Sequence, residues 1–165
     1  MDASMLPYFR ELRTIEGALH LNGNDGAHYN SISQMVSLVG LFPNLVNVTG
    51  ELVILGMGHL LTLDGTFPAL EYVSDVTLQS NNALAAGNPF PRLKRFTSTT
   101  DSRTRVNALV AINGNYLLTC ATIDEWFGSL ENGCSISTCS SATNQVVSGS
   151  AHPDFANGLF MSASC

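Results

Sequence analysis

The chain has 165 residues, of which 45% are hydrophobic, and it carries a net charge of −6. This length suits one domain with a substantial core, and the hydrophobic content excludes an intrinsically disordered chain. The acidic balance argues against a general nucleic-acid binder, and the absence of a run of about 20 apolar residues excludes membrane insertion through a helix.

Four related segments make up most of the sequence, and they begin near residues 9, 42, 67 and 90. The best copy reads FPNLVNVTGELVIL from Phe42, and shorter echoes, FPAL and FPRL, follow at Phe67 and Phe90. A degenerate copy, FRELRTIEGALHL, begins at Phe9. A period of 20–50 residues is typical of a β-solenoid or another repeat array.

The first two copies keep one register, so that Leu19 and Leu21 match Leu52 and Ile54. The third copy is one residue shorter, and its apolar pair becomes Val76 and Leu78. Alternation of apolar and polar residues predicts a half-buried strand at 17–22. The matching positions of the later repeats predict strands at 50–55 and 75–80, a polar but β-prone strand is expected near 96–100, and a last apolar strand is expected at 108–112. A polar loop at 23–33 follows the first strand, a turn with Asn81 follows the third, and a short amphipathic helix is predicted at 117–127.

Side chains between the inward positions face outward on these strands, because successive side chains of a strand alternate between its faces. Val53, Leu55 and Met57 make an outward apolar series, and such a series often marks an interface. The candidates for the binding face are His20, Glu51, Val53, Leu55, Met57, Thr77 and Gln79.

Most of the basic residues are concentrated in one part of the chain: Arg92, Lys94, Arg95, Arg103 and Arg105. Such a basic patch suits an anionic ligand or an acidic partner surface. A solvated loop that balances nearby acids is the alternative interpretation.

All four cysteines lie from residue 120 onward: Cys120, Cys134, Cys139 and Cys165. We expect two disulfides, with Cys120 bonded to Cys134 or Cys139 and Cys165 bonded to the other, since four cysteines allow three connectivities. A zinc site with His152 is the alternative, although the spacings match no CxxC ligand pair. Asn47-Val48-Thr49 is an N-glycosylation sequon, and together with the cysteines it favours an extracellular setting.

The segments LRTIEGALHLNG, FPNLVNVTGELVILG and FPALEYVSDVTLQSNNAL resemble the receptor L-domain, a relative of the leucine-rich repeats. GNYLLTCATIDEWF, followed by Cys134 and Cys139, resembles the cysteine-rich C-terminal cap of extracellular leucine-rich-repeat proteins. The resemblance covers roughly residues 8–139. It implies a mainly β fold, a right-handed β-solenoid of about four to five coils with short helical or irregular caps, whose sheets recognise proteins or cell-wall components.

We therefore expect one repeat domain over residues 1–139, with a cysteine cap at 116–139. A tail rich in Ser, Ala and Asn follows at 140–165 and is held by Cys165. The N-terminus lacks the basic and then apolar layout of a signal peptide, so a cell-surface location implies a mature or partial piece of a longer precursor.

The sequence contains no GxSxG, HExxH, Walker or paired-carboxylate pattern, and its four histidines fall in different units. We expect no enzyme, no metal and no cofactor. The leading hypothesis is an extracellular or cell-surface recognition or scaffold module that binds a protein or a glycan through its sheet face and the 23–33 loop. A structural subunit of a larger assembly, docking or self-assembling through Val53, Leu55 and Met57, is the second hypothesis. The third is an ice- or polysaccharide-binding solenoid, for which Thr77, Thr97 and Thr99 are the candidate threonines.

Overall fold

The computed structural model describes residues 9–23, 34–97, 110–127, 130, 135–137 and 162–164. These residues contain eight strands and one complete helix. The strands are β1 (Thr14–Ile15), β2 (Leu19–Asn22), β3 (Asn47–Leu55), β4 (Tyr72–Gln79), β5 (Arg95–Phe96), β6 (Val110–Asn113), β7 (Ser135–Ser137) and β8 (Ser162–Ser164), and the helix is α1 (Cys120–Phe127).

Strands β1 to β6 form one six-stranded sheet in which every pairing is parallel. The long strands β3 and β4 lie at its centre. Strands β1 and β2 pair with β3 on one side, and β5 and β6 pair with β4 on the other. Strands β7 and β8 pair antiparallel in a separate ribbon.

The register of the sheet follows the apolar pattern of the repeats. Leu52 pairs with Leu19 and Val76, and Ile54 pairs with Leu21 and Leu78. The shortened third repeat is confirmed, because β3 carries one residue more than β4 between Val48 and Glu51. A slip by one residue would turn every apolar side chain toward solvent, so burial of this face fixes the register.

Two glycines allow the first two repeats to approach each other closely. The backbone N–H of Gly50 donates to the carbonyl of Gly17 at 2.9 Å. A Cβ atom at Gly50 would lie 2.7 Å from the backbone carbon of Gly17, closer than a side chain tolerates. This contact explains the glycine at position 50. Gly17, at the matching place of the first repeat, has a φ of 106°, a backbone conformation that favours glycine.

Aromatic rings stack through the core from one repeat to the next. The ring centroids of Phe9, Phe42, Phe67, Phe90 and Phe127 follow one another at 5.2, 5.4, 5.9 and 5.8 Å. The first four of these residues are the phenylalanines that open the four sequence repeats. Each repeat therefore has the number of residues that brings its opening phenylalanine ring next to that of the following repeat.

Helix α1 covers the end of this stack. The Thr119 hydroxyl accepts a hydrogen bond from the Thr122 N–H at 3.2 Å and caps the first turn of the helix. Ile123, Trp126 and Phe127 are buried on one helix face, as the spacing i, i+3, i+4 requires. The predicted short amphipathic helix is confirmed, and it begins at Cys120 rather than at residue 117.

The prediction of a right-handed β-solenoid is wrong. The described residues are mainly β, but their parallel strands make a single sheet that does not close on itself. Between the strands, Ser37, Thr62 and Ala86 form only isolated bridges, and this part of the chain builds no second parallel sheet.

The physical reason lies in the turns that follow each repeat phenylalanine. The N–H groups of Leu45, Leu70 and Leu93 donate to the carbonyls of Phe42, Phe67 and Phe90 at 3.4, 3.2 and 3.1 Å. Each turn has proline at its second position, where the fixed φ of proline suits a turn and its missing N–H prevents regular pairing. The segments that connect the strands therefore fold as turns rather than as further strands.

Candidate functional site on the sheet face

The outward side of the central strands brings the predicted binding residues together. Cross-strand pairing places His20 beside Val53 and Val53 beside Thr77, and it places Leu55 beside Gln79. His20 is exposed and the others are half-buried. We call the surface formed by His20, Glu51, Val53, Leu55, Thr77 and Gln79 the candidate face.

Met57 does not belong to this face, and its predicted outward orientation is wrong. Its side chain lies in the core with 0% exposure. The preceding residue, Gly56, adopts a left-handed conformation with φ of 68°, which ends the alternation of the strand and turns the chain inward. The apolar series therefore consists of Val53 and Leu55.

Polar groups surround these two apolar side chains. The Thr77 hydroxyl donates to Oε1 of Glu51 at 2.5 Å, which joins the two central strands across the face. Asp75 pairs with Glu51 in the register and accepts a hydrogen bond from the Ser74 hydroxyl. The arrangement is a small apolar centre with a polar rim.

Two buried asparagines, which follow β4 and β6, bind the backbone at the carboxyl ends of the neighbouring strands β3 and β4. Oδ1 of Asn81 accepts from the Met57 N–H at 3.0 Å, and its Nδ2 donates to the Ile54 carbonyl at 3.0 Å. Asn115 repeats the pattern with the Asn81 N–H and the Leu78 carbonyl, at 3.0 and 2.8 Å. The predicted turn at Asn81 is present, and the Asn81 side chain ties it to the turn after β3 at the end of the candidate face.

A second group of outward residues lies at the opposite end of the sheet. Pairing between strands sets Thr14, Asn47, Tyr72 and Arg95 side by side. The guanidinium carbon of Arg95 lies 5.3 Å from the centroid of the Tyr72 ring, a cation–π distance. We call these four residues the arginine–tyrosine row.

The structure describes three of the five residues of the predicted basic patch. Arg92 and Arg95 are exposed and Lys94 is half-buried, whereas Arg103 and Arg105 lie outside the described residues. Nζ of Lys94 lies 2.8 Å from Oε2 of Glu71. This hydrogen bond, with smaller contributions from the charges of Lys94 and Arg92 and from a hydrogen bond of Tyr72, lowers the pKa of Glu71, while burial opposes the shift.

Tyr72 is a residue that the sequence reasoning missed. A signal for it was present, because Tyr72 and Arg95 each stand immediately before an inward apolar residue of their repeat, Val73 or Phe96. Aligning the third and fourth repeats on these residues would have set the aromatic ring beside the guanidinium.

Asn47 lies on the outward side, half-buried between Thr14 and Tyr72. Thr49, the third residue of the sequon, is exposed, and its hydroxyl accepts from the Gly17 N–H at 2.9 Å. Glycosylation of Asn47 stays a prediction.

Several predicted features fall outside the described residues: most of the 23–33 loop, Thr99, Cys134, Cys139, Cys165, His152 and most of the tail. Cys120 is the first residue of α1. The two disulfides therefore stay a prediction.

Large apolar side chains are also exposed away from the sheet, and the sequence analysis missed them. Val36, Val39 and Leu61 are 57%, 68% and 55% exposed. Val36 and Leu61 occupy matching positions of neighbouring repeats, since the Leu61 N–H donates to the Val36 carbonyl at 3.0 Å. Tyr116 and Leu117 are exposed before α1.

Two further observations concern the described part of the chain alone. It contains no group of three His, Cys, Asp or Glu side chains arranged to hold a metal ion. Nor does it contain a helix with the length and apolar character needed to cross a membrane.

No protein-family model, curated protein or solved structure matches this chain. The resemblance to receptor L-domains thus remains a prediction from the repeat sequences.

Proposed function

We propose that this chain is a non-enzymatic recognition or scaffold module that binds a protein or glycan partner through the candidate face. The observation that supports it most is the half-buried apolar pair Val53 and Leu55 at the centre of an open sheet surface. Protein interfaces are commonly built in this way, with an apolar centre that excludes water and a polar rim that gives specificity.

The candidate face also suits recognition because its backbone is already ordered. Strands β3 and β4 are each paired on both sides. The Thr77–Glu51 hydrogen bond ties their side chains together, and Asn81 holds the turn beyond them. A preformed surface loses little conformational entropy when a partner binds, so more of the contact energy appears as affinity.

An extracellular or cell-surface location belongs to the same proposal. The outward position of Asn47 and the exposure of Thr49 are compatible with a glycan on the folded protein. The four cysteines from residue 120 onward also suit an oxidising compartment.

The proposal is tested with protein from a secretory host, screened against panels of extracellular domains and glycans. A double variant, Val53→Gln with Leu55→Gln, removes the apolar centre. A matched variant, Val36→Gln with Val39→Gln, makes the same chemical change outside the sheet. We expect the first variant to weaken binding of any hit at least about tenfold, and the second to leave it unchanged, with both variants keeping the wild-type melting temperature.

Binding that survives loss of the apolar centre, or the absence of any hit on the panels, would contradict the proposal. The second candidate is a structural subunit of a larger assembly, for which the sequence suggested docking through Val53, Leu55 and Met57, but Met57 is buried. Loss of binding in the Val36 and Val39 variant alone would support this candidate with a different docking surface. The exposure of Val36, Val39 and Leu61 favours that candidate, and light scattering after size-exclusion chromatography would show its self-association.

The geometry gives no support to the ice- or polysaccharide-binding alternative. That function requires a regular array of outward threonines. The row of the sheet that contains Thr77 otherwise consists of His20, Val53 and Ala111.

A further inference from the structure

We propose that Arg95, which lies over the Tyr72 ring, forms a subsite that binds the carboxylate or sulfate group of an acidic glycan. The inference rests on the proposed function, since it names a ligand class for the same side of the sheet. It concerns a different end of that side from the Val53–Leu55 centre, so the two are separable by mutation.

Arg95 is placed to bind an anion because no hydrogen bond or ion pair with another described residue engages its guanidinium donors. The guanidinium carbon lies 5.3 Å from the centroid of the Tyr72 ring, and a cation–π contact of this kind does not use up the N–H donors. Arg95 is exposed, and among the described residues no carboxylate forms an ion pair with it. Two parallel N–H groups match the two oxygens of a carboxylate or sulfate group.

The carboxylate nearest in sequence is prevented from competing for Arg95. Glu71 accepts a hydrogen bond from Lys94 at 2.8 Å, and the two side chains form an ion pair. The next acid on β4, Asp75, lies three residues from Tyr72, about 10 Å along the strand. Lys94 therefore neutralises Glu71, while Arg95 and the exposed Arg92 leave this end of the sheet positive on a chain of net charge −6.

The neighbouring groups favour a glycan over a peptide. Thr14 continues the arginine–tyrosine row with a hydroxyl. In protein made without an N-glycan on Asn47, the form used in the test below, Asn47 adds an amide, and both uncharged groups match sugar hydroxyls. An extended peptide would need unpaired backbone groups at a sheet edge. This row instead crosses the face of strands that are already paired with one another.

The test measures binding of heparin-derived and oligogalacturonate fragments by calorimetry at about 50 mM salt, where charge interactions are weakly screened. Neutral dextran fragments and a poly-glutamate peptide are the comparison ligands. The variants are Arg95→Gln, Arg95→Lys and Arg10→Gln, the last being the matched loss of an exposed arginine outside the sheet.

We expect at least one acidic glycan to bind, and Arg95→Gln to weaken its binding about tenfold or more. Arg95→Lys should weaken it less, because the charge remains while the paired donors are lost. Arg10→Gln and the Val53→Gln, Leu55→Gln variant should bind as the wild type does.

The subsite is overturned if neither acidic glycan binds, if dextran or poly-glutamate binds as tightly, or if Arg95→Gln has no more effect than Arg10→Gln. Loss of acidic-glycan binding only in the Val53 and Leu55 variant would overturn the subsite while supporting the candidate face. Conversely, the panel screen could contradict the candidate face while Arg95→Gln still loses binding of the acidic glycan. This result would support the subsite and not the candidate face.

Discussion

Thr66 has a buried hydroxyl group that forms no hydrogen bond with another described residue. Its side chain has 0% exposure, and its Oγ1 has no hydrogen-bond partner among the described residues. The matching position of the preceding repeat, directly before Phe42, is occupied by the buried Leu41. An unpaired buried hydroxyl costs free energy that an apolar group of the same shape does not.

We therefore expect Thr66→Val to raise the free energy of unfolding by about 1 kcal/mol, measured by urea denaturation. Thr62→Val is the matched control, because the Thr62 hydroxyl accepts from the Asp64 N–H at 3.0 Å. Its loss should destabilise the protein by about 0.5–1.5 kcal/mol. Destabilisation by Thr66→Val would mean that its hydroxyl has a partner.

Glu71 gives the stability of the protein a dependence on acid. Its pKa is lowered below the ordinary 4.5, chiefly by the hydrogen bond from Lys94. The ion pair therefore stabilises the fold above pH 4.5, and this contribution is lost as the pH falls through the lowered pKa. We expect Glu71→Gln to melt at a lower temperature than the wild type at pH 7, and the difference to shrink as the pH falls below 4.5.

Melting curves from pH 7 to pH 3 would show this convergence. Glu11→Gln, at an exposed position, should follow the wild type throughout the range. A constant gap between Glu71→Gln and the wild type would show that the substitution acts through packing rather than through the charge of the carboxylate.

At the scale of elements, the asparagine turns connect one strand to the next. Asn81→Ala would leave the buried Met57 N–H and the Ile54 carbonyl without their partners. We expect it to lower the free energy of unfolding by about 2–4 kcal/mol in urea denaturation. The neighbouring Asn82 is exposed, and Asn82→Ala should change stability little. Equal effects of the two substitutions would contradict the role given to Asn81.

The antiparallel ribbon favours one of the three disulfide connectivities. Ser135 pairs with Ser164. Cys134 directly precedes β7 and Cys165 directly follows β8 in the sequence. A ladder continued by one residue would pair the two cysteines, so we expect a Cys134–Cys165 disulfide and, by exclusion, Cys120–Cys139.

Proteolysis without reduction, followed by mass spectrometry, reads this connectivity directly. The peptide that contains Cys165 should be released together with the peptide of Cys134 and separate from it on reduction. Any other partner for Cys165, or four free thiols, would contradict the prediction.

At the scale of the whole molecule, the hydrophobic core of the described residues lies against one side of the six-stranded sheet. Leu52 has 0% exposure, whereas the next residue, Val53, lies on the open side. Leu52→Asp would put an unpaired charge into the core and should prevent cooperative folding. Val53→Asp makes the same charge change in solvent and should keep the fold, as circular dichroism melting would show. A folded Leu52→Asp variant would contradict the register of β3.

The pairing of the repeats was predictable because it depends on local pattern. Leu19 and Leu21 alternate with polar residues, as do Val76 and Leu78, and the inward positions Leu52 and Ile54 follow from matching the repeats. The missing residue in the third repeat is visible in the sequence itself. The inward direction of Met57 was not predictable from alternation, since the left-handed Gly56 interrupts it. The single open sheet was not predictable from the repeats. The phenylalanine–proline motif marks each repeat whether the segment that connects two strands of the sheet forms a further strand or a turn.

The candidate site was predictable to a similar degree. The alternation of side chains along a strand places Val53, Leu55 and Thr77 on the outward side of the sheet. This prediction requires only the sequence of the strand to which each residue belongs. The contact of Arg95 with Tyr72 joins two strands, so it follows only from the lateral register and not from either segment alone.

The aromatic stack ends on Trp126, which gives the protein an optical probe of its own. The sequence contains one tryptophan, 2% exposed, with its ring centroid 6.4 Å from that of Phe127. Its fluorescence therefore reports the environment at the α1 end of the core, while far-ultraviolet circular dichroism reports mainly the strands. Coincident melting by the two signals would identify one cooperative unit, and an earlier change in fluorescence would identify α1 as the first part to unfold.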